Sequence, residues 1–298
     1  MDQVLLNIAI QLCIYVIVIA GLNLVSGYAG VFSVSQGLAF GIGAFSYAGL
    51  VRFFGINELL VAIPVAAVAA ALFSIVIGRA SLRVSGDHFI IASFGAQIVG
   101  LQILYNWREL SGGGPGAYGL PSPTLLGVVI SEPLTWLMLS AIVAVAVLAI
   151  HAWLARSPFG VALRAMRDDP DALQAGGIEP LPLTLGAFVI GGISAAIAGV
   201  LFAGYVTVAQ VADYTIAISI SLLCAVIAGG AGTIRGSIFG VLLFIGIPRA
   251  LDLLDVPTGI AGVAQQLVFG LLLVLVVLAL PHGLAGIRIP RRARTISR

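Results

Sequence analysis

The fold is decided by residues 156–180, RSPFGVALRAMRDDPDALQAGGIEP, a densely charged stretch in a chain built mostly of long apolar runs. Seven charged residues fall within these 25 positions. A charged side chain at the centre of a transmembrane helix costs about 2.5–3.5 kcal/mol on insertion scales. The stretch therefore predicts an aqueous segment between two membrane spans.

The order within this segment indicates a helix. Ser157 can cap a helix N-terminus, Pro158 suits the first helical turn, and Gly176–Gly177 can end the helix. We therefore predict one short helix over about 159–176, lying along the cytoplasmic membrane surface and offered to a soluble partner.

The composition on either side sets the class of protein. The chain is 60% hydrophobic and only 9% charged, whereas soluble domains carry about 25% charged residues. No polar block is long enough for a separate soluble domain. The prediction is an all-α polytopic transmembrane helical bundle that forms a single domain over 1–298. With about 20 apolar residues per span, nine candidate spans follow: 4–26, 33–54, 58–78, 88–106, 133–155, 182–208, 213–230, 236–254 and 259–280.

The basic residues predict the orientation, because cytoplasmic loops carry an excess of Arg and Lys. All 14 basic residues are Arg. Nine spans with the N-terminus outside and the C-terminus in the cytoplasm place eleven of them on the cytoplasmic side and three outside. The terminal RIPRRARTISR (288–298) then anchors the chain to anionic membrane lipid. We expect no binding to nucleic acid.

Three Gly-rich stretches leave alternatives open. Residues 27–43 favour a broken or re-entrant second span, or else close helix packing through small residues. The external loop 107–132 contains SGGGPGAYGLPSP (111–123), whose Gly and Pro predict neither helix nor strand. The loop is a flexible connection or a lip that meets a partner or a solute. Gly232, Gly236 and Gly240 predict intramembrane helix packing.

The side chains exclude several kinds of chemistry. The absence of Lys rules out a Walker A loop, and no catalytic constellation or metal-ligand spacing is present, so the chain is predicted not to be an enzyme. No acidic residue lies in the middle of a span, which argues against a proton-driven carrier, whereas sodium coordination by backbone carbonyls would leave no such mark. The embedded polar groups are neutral and serve either as interhelical hydrogen bonds or as a solute pathway. The candidate pathway residues are Asn23, Ser33, Ser35, Gln36, Ser93 and Gln97.

Five motifs together resemble a known family. GLNLVSGYAGVFSVSQGLAFGIGAFSYA (21–48), SGGGPGAYGLP (111–121), RSPFGVALRAMRDDPDALQAGGI (156–178), AGGAGTIRGSIFG (228–240) and LPHGLAGI (280–287) are similar, in this order, to the M-type permease subunit of branched-chain amino acid ABC importers. The resemblance covers essentially the whole chain. It implies an importer permease for leucine, isoleucine or valine, in a multi-pass arrangement in the bacterial inner membrane.

The resemblance also implies partners. These are an H-type sibling permease, two cytoplasmic ABC ATPases that hold the ATP and magnesium, and a periplasmic substrate-binding protein; no cofactor is expected on this chain. The segment 156–180 becomes the coupling element that the ATPase contacts. Its general importer motif is altered, because Leu173 stands where a second Ala is usual. The implied coupling residues are Ser157, Pro158, Phe159, Gly160, Leu163, Arg164, Met166, Arg167, Asp168, Asp169, Asp171 and Gly177.

Other functions remain as alternatives. Importer permeases for urea and short amides, or for other amino and aromatic acids, resemble the same subunit type. From different classes come an ion-coupled secondary transporter, a non-transporting scaffold and an intramembrane enzyme. The charged surface segment and the lack of mid-span carboxylates count against the carrier, and the missing nucleophiles count against the enzyme.

Overall fold

A computed structural model describes residues 2–81, 87–113, 116–246 and 270–271. Within these residues, seven helical stretches are long and apolar enough to span a membrane. Most of the described chain is helical. The α-helices are α1 (Asp2–Leu22), α2 (Gln36–Phe54), α3 (Leu59–Ser81), α4 (Asp87–Asn106), α5 (Arg108–Ser111), α6 (Pro133–Arg156), α7 (Pro158–Asp168), α8 (Pro170–Ala175), α9 (Pro180–Val206), α10 (Ile216–Gly230) and α11 (Ile234–Val241).

The bundle is organised around α1 and α9. Helix α9 packs against α1, α2 and α3, and α1 also packs against α6 and α11. Small residues permit the closest approach: a Cβ added to Gly43 would clash with the Ala196 backbone, and one added to Gly199 would clash with the Phe40 carbonyl oxygen. Helices in membranes associate through such small residues because backbones can then come into contact. The all-α bundle is confirmed.

The chain leaves the helix between the first and second spans. Helix α1 continues as a π-helical turn, Asn23–Tyr28, and residues 29–35 are then non-helical before α2 begins at Gln36. Four of these seven residues are buried, and Phe32 is exposed. The alternative of a broken second span is wrong, because the Gly-rich residues 36–43 form regular helix within the continuous α2. The non-helical residues 29–35, called the break below, precede that span. The other alternative, close packing through small residues, is found at Gly43.

The charged segment 156–180 forms two helices, so the prediction of one helix over 159–176 is wrong. Helix α7 ends at Asp168, and α8 begins at Pro170. Asp169 between them is extended, with φ −156° and ψ 97°, because a proline disfavours the helical conformation of the residue before it. The predicted start at Pro158 and the end near Gly176 are confirmed.

The loop 107–132 is ordered by contacts at a distance in sequence, and the prediction of no strand there is wrong. A two-residue strand, β1 (Ala117–Tyr118), pairs antiparallel with β4 (Val208–Ala209). A hairpin joins β2 (Thr124–Leu125) to β3 (Val128–Val129). The helix Arg108–Ser111 opens the loop. Gly and Pro exclude long strands, but they permit short pairs between tight turns.

Glu58, directly before α3, holds the β2–β3 hairpin in place by hydrogen bonds. Its carboxylate accepts hydrogen bonds from the Thr124 hydroxyl at 2.6 Å and from the Leu126 amide at 2.6 Å. The Thr124 hydroxyl above all, and then the amides of Leu126 and Gly127, hold the pKa of Glu58 below its ordinary value, against a smaller opposing effect of desolvation. Leu126 and Gly127 both have positive φ, as the two central residues of a type I′ hairpin turn require.

The predicted eighth span begins as the short helix α11, which continues as a π-helical turn, Leu242–Gly246. Gly236 and Gly240 pack as predicted, whereas Gly232 lies in the turn before α11 with φ 80°. A Cβ on Gly240 would lie 2.5 Å from the Ala225 carbonyl oxygen, and one on Gly236 would clash with the Gly230 carbonyl oxygen. The rest of that span, nearly all of the ninth span and the terminal arginines lie outside the described residues.

Candidate functional site

The corner between α6 and α7 is fixed by Ser157 and Gly160. The Ser157 hydroxyl donates to the Leu154 carbonyl at 2.6 Å and accepts from the Gly160 amide at 3.4 Å. A Cβ on Gly160 would lie 2.7 Å from backbone atoms of Ala155. The glycine is needed because the two helices touch backbone to backbone at this corner.

The inner face of α7 is buried against the bundle. Leu163 is fully buried and Met166 nearly so, and both belong to a cluster with Leu24, Val25 and Phe188. Phe159 packs at the edge of the same cluster. These three predicted coupling residues attach α7 to the spans behind it, so they do not lie on the surface that a soluble partner would meet.

Two arginines on α7 reach the end of the first span. The Arg167 guanidinium donates to the Gly27 carbonyl oxygen at 2.5 Å. The Arg164 guanidinium carbon lies 5.9 Å from the centroid of the Tyr28 ring, within the range of a cation–π interaction. Both side chains therefore bind the π-helical turn that precedes the break.

The outer face of the segment is acidic. Asp168, Asp169 and Asp171 are exposed, and the Asp169 carboxylate caps α8 by accepting from the amides of Asp171 at 3.1 Å and Ala172 at 3.0 Å. Across the described ranges, none of these three carboxylates lies in an ion pair. Gly177, with φ 82°, takes the left-handed conformation that ends the segment. Among the described residues, the Asp168 and Asp171 carboxylates make no hydrogen bond or ion pair, so this face presents unpaired negative charge.

The predicted pathway residues form a buried polar seam along the break. The hydroxyls of Ser33 and Ser35 lie 2.9 Å apart. The Ser93 hydroxyl, on α4, accepts from the Val34 amide at 3.2 Å. These bonds satisfy backbone groups that the break would otherwise leave unpaired within the bundle.

Two amide side chains extend the seam. Gln36 donates to the Gly191 carbonyl at 3.0 Å, which joins α2 to α9. Gln97 donates to the Ser219 hydroxyl at 2.8 Å and to the Tyr214 carbonyl at 3.2 Å. Ser219 is a member that the sequence analysis missed, although a lone Ser within an apolar run was the signal available for it.

Two buried polar atoms near this seam have no hydrogen-bond partner within the described residues. They are the side-chain carbonyl oxygen of Gln97 and the hydroxyl of Tyr214. The Tyr214 ring itself is held edge-on to Phe40, with centroids 5.1 Å apart. The seam therefore retains one acceptor and one hydroxyl that are not engaged within the fold.

Asn23 stands apart from the other pathway candidates. Its amide nitrogen donates to the Thr233 carbonyl at 2.7 Å and to the Ser237 hydroxyl at 2.9 Å. Its carbonyl oxygen accepts from the Gly232 amide at 2.8 Å. Asn23 thus ties the end of the first span to the turn before α11, and these bonds account for its burial. The assignment of all six residues to a solute pathway stays a prediction.

Comparison with known proteins finds branched-chain amino acid transport permeases along most of the chain. The family model described as "Branched-chain amino acid transport system / permease component" matches residues 4–277. The high-affinity branched-chain amino acid transport system permease protein LivM of Escherichia coli (strain K12) is 29% identical over 262 residues, covering 80% of this chain and 61% of that protein. The LivM of Salmonella typhimurium is 28% identical with the same coverage.

A third relative matches over more of its length. The probable branched-chain amino acid transport permease protein LivM of Methanocaldococcus jannaschii is 27% identical over 316 residues, covering 91% of this chain and 90% of that protein. This chain spans about three-fifths of the length of the first two relatives, 61% in each. No solved structure matches.

Proposed function

Because this chain belongs to the permease-component family of branched-chain amino acid transport systems, with the family match running over residues 4–277, we propose that it is the membrane-spanning permease subunit of an ATP-driven importer. The proposed cargo is leucine, isoleucine or valine, in keeping with the names of its relatives. The extent of the family match carries the proposal. The seven apolar helices support it as a multi-pass membrane protein.

The proposed assembly places the whole chain, as one permease domain, in a bacterial inner membrane. Its partners are an H-type sibling permease, two cytoplasmic ABC ATPases and a periplasmic substrate-binding protein. The ATPases hold the ATP and magnesium, and this chain, which lacks Lys and therefore a Walker A loop, holds neither. The orientation with the segment 156–180 in the cytoplasm follows from the Arg distribution.

The coupling segment is proposed to dock on an ATPase through its outer face. Asp168 and Asp171 are exposed there. The buried Leu163 and Met166 hold the segment on the bundle instead. This arrangement supports coupling. A partner that moves the outer face of the segment also moves the spans against which its inner face packs.

The polar seam is the proposed solute-facing element, on the condition that the break at 29–35 opens during transport. A neutral seam suits a zwitterion, because hydroxyls, amides and main-chain dipoles solvate both ends without a fixed charge that would trap it. Gln97 is the first residue to test, because its carbonyl oxygen is unengaged within the described fold. The expected effect of Gln97→Leu is a higher KM for uptake with the complex intact; an unchanged KM would remove Gln97 from the pathway.

The deciding experiment is affinity purification of the tagged full-length chain from gently solubilised membranes, followed by reconstitution of what copurifies. We expect a P-loop ATPase and a second permease in the complex, and ATP-dependent uptake of leucine, isoleucine or valine into proteoliposomes. Urea and aromatic acids serve as competing solutes. Uptake by the isolated chain under an ion gradient without ATP would replace the importer with a secondary carrier.

A further inference from the structure

Arg167 makes a contact that docking on a partner does not require. Its backbone lies on the exposed side of α7, yet its guanidinium turns inward and donates to the carbonyl oxygen of Gly27 at 2.5 Å, 140 residues earlier in the chain. Arg167 is exposed as a whole, yet its guanidinium already binds a backbone carbonyl of its own subunit. The contact points to an internal role.

The acceptor is a carbonyl that needs a donor. Gly27 lies in the last turn of the first span, just before the chain leaves the helix. Helix C-termini leave their final carbonyls without intrahelical partners, and the helix dipole favours a cation there. Arg167 supplies both the donor and the positive charge.

Two glycines make room for the Arg167 side chain. Gly30 has φ 72°, and a Cβ there would lie 2.7 Å from Cγ of Arg167. Gly232 has φ 80°, and a Cβ there would lie 3.0 Å from both the Arg167 guanidinium and the Gly27 carbonyl oxygen. The arginine therefore occupies the space that the missing side chains of two separate loops leave open.

Those two loops are themselves joined. Asn23, four residues before Gly27, accepts from the Gly232 amide at 2.8 Å and donates to the Thr233 carbonyl at 2.7 Å. Arg167 and Asn23 thus hold the two ends of the π-helical turn, one to α7 and the other to the turn before α11. Helix α7, the π-helical turn and the turn before α11 therefore meet at this point, although no sequence motif links them.

We propose that Arg167 is a positioning residue that transmits movement of α7 to the break at 29–35 and to the turn before α11, and that it is not a contact to the ATPase. The inference rests on the proposed function, because it assumes that an ATPase moves α7. Arg164, over the Tyr28 ring, supports the same connection more weakly, since a cation–π interaction at an exposed site is worth less than a charge-assisted hydrogen bond.

The test compares Arg167→Met and Arg167→Lys in the complete reconstituted complex. Methionine keeps an apolar stem over Gly30 but loses the donor, whereas lysine keeps a donor and the charge. For Arg167→Met we expect ATPase association and ATP hydrolysis within about twofold of the unmodified complex, and solute moved per ATP lowered about tenfold, comparable to losing one hydrogen bond to a charged group. Arg167→Lys should restore part of that ratio.

Arg79→Gln is the matched control. Arg79 is exposed at the end of α3, and its side chain makes no hydrogen bond or ion pair within the described residues, so its replacement should leave the transport ratio unchanged. Loss of the ATPase from the Arg167→Met complex would overturn the inference and make Arg167 a partner contact. Transport and hydrolysis that fall together with the amount of folded protein would also overturn it, as would an unchanged ratio.

A distance measurement separates transmission from simple stability. Spin labels at Ala165→Cys on α7 and Phe32→Cys in the break, with Cys13 and Cys224 replaced, report whether the two sites move together on ATP binding. We expect a distance that is nearly constant across the ATP cycle in the unmodified complex and one that changes with ATP in Arg167→Met. The proposed function fails separately, if the unmodified complex contains no ATPase or shows no ATP-dependent uptake.

Discussion

The segment 156–180 and the loop 107–132 both connect spans, yet they are ordered in opposite ways. The segment forms helices whose apolar face, with Leu163 and Met166, is buried on the bundle. The loop has no helical apolar face: it buries Ala117, Leu120 and Ile130 at scattered positions. It is also held by hydrogen bonds from the distant residues Tyr47 and Glu58. The difference teaches that apolar periodicity orders a segment through one continuous buried face, whereas a Gly- and Pro-rich loop combines scattered burial with individual hydrogen bonds.

The largest expected effect is in the segment. Leu163→Ala removes a fully buried side chain, and such truncations cost about 2–5 kcal/mol because a cavity remains. We expect a lower thermal midpoint of the purified complex and weaker association with the ATPase. Val161→Ala, two residues earlier and 52% exposed, is the control, with an expected change within about 0.5 kcal/mol. Equal effects of the two variants would show that burial does not order this segment.

An intermediate effect is expected in the loop. Tyr47, fully buried in α2, donates to the Pro121 carbonyl at 2.7 Å. Tyr47→Phe keeps the ring and removes the donor, which leaves that carbonyl unpaired at a cost of about 1–3 kcal/mol. Limited proteolysis of the loop should therefore become faster. Tyr118→Phe, in the same loop but 56% exposed, should leave the cleavage rate unchanged; if it accelerates cleavage as much, the single-bond account of the loop is wrong.

The smallest effect is the pH dependence of the hairpin. Hydrogen bonds from Thr124, Leu126 and Gly127 lower the pKa of Glu58 in the folded state. The ionised carboxylate therefore stabilises the fold above the unfolded pKa, and that contribution is lost as the pH falls through the lowered folded pKa. Glu58→Gln should lower the thermal midpoint at neutral pH, and its difference from the unmodified chain should shrink on acidification from about pH 6 to about pH 3.

Glu132→Gln provides the comparison at neutral pH. Glu132 precedes α6 and makes no side-chain capping hydrogen bond there. Its replacement should therefore change the thermal midpoint less than Glu58→Gln does. A Glu58→Gln difference that grows on acidification would reverse the sign and contradict the hydrogen-bond explanation.

Local signals predicted the segment better than the loop. Ser157 and Pro158 gave the start of α7, and the family resemblance is confirmed by the match over residues 4–277. The prediction of a single helix was wrong because Pro170 disfavours the helical conformation of Asp169. In the loop, the pairing of Ala117 with Ala209 joins residues 92 positions apart, and neither strand is long enough to show an alternating pattern.

The sequence by itself determined the membrane class, the position of most spans and the start of the surface helix. Each of these depends on local composition, a cap or a proline. Only the tertiary structure decided that Leu163 and Met166 face inward, that Asn23 bonds to Thr233, and that Arg167 reaches Gly27. The physical reason is that the acceptors in the last two contacts are backbone carbonyls. Every residue carries one, so no side-chain pattern marks the partner until the chain has folded.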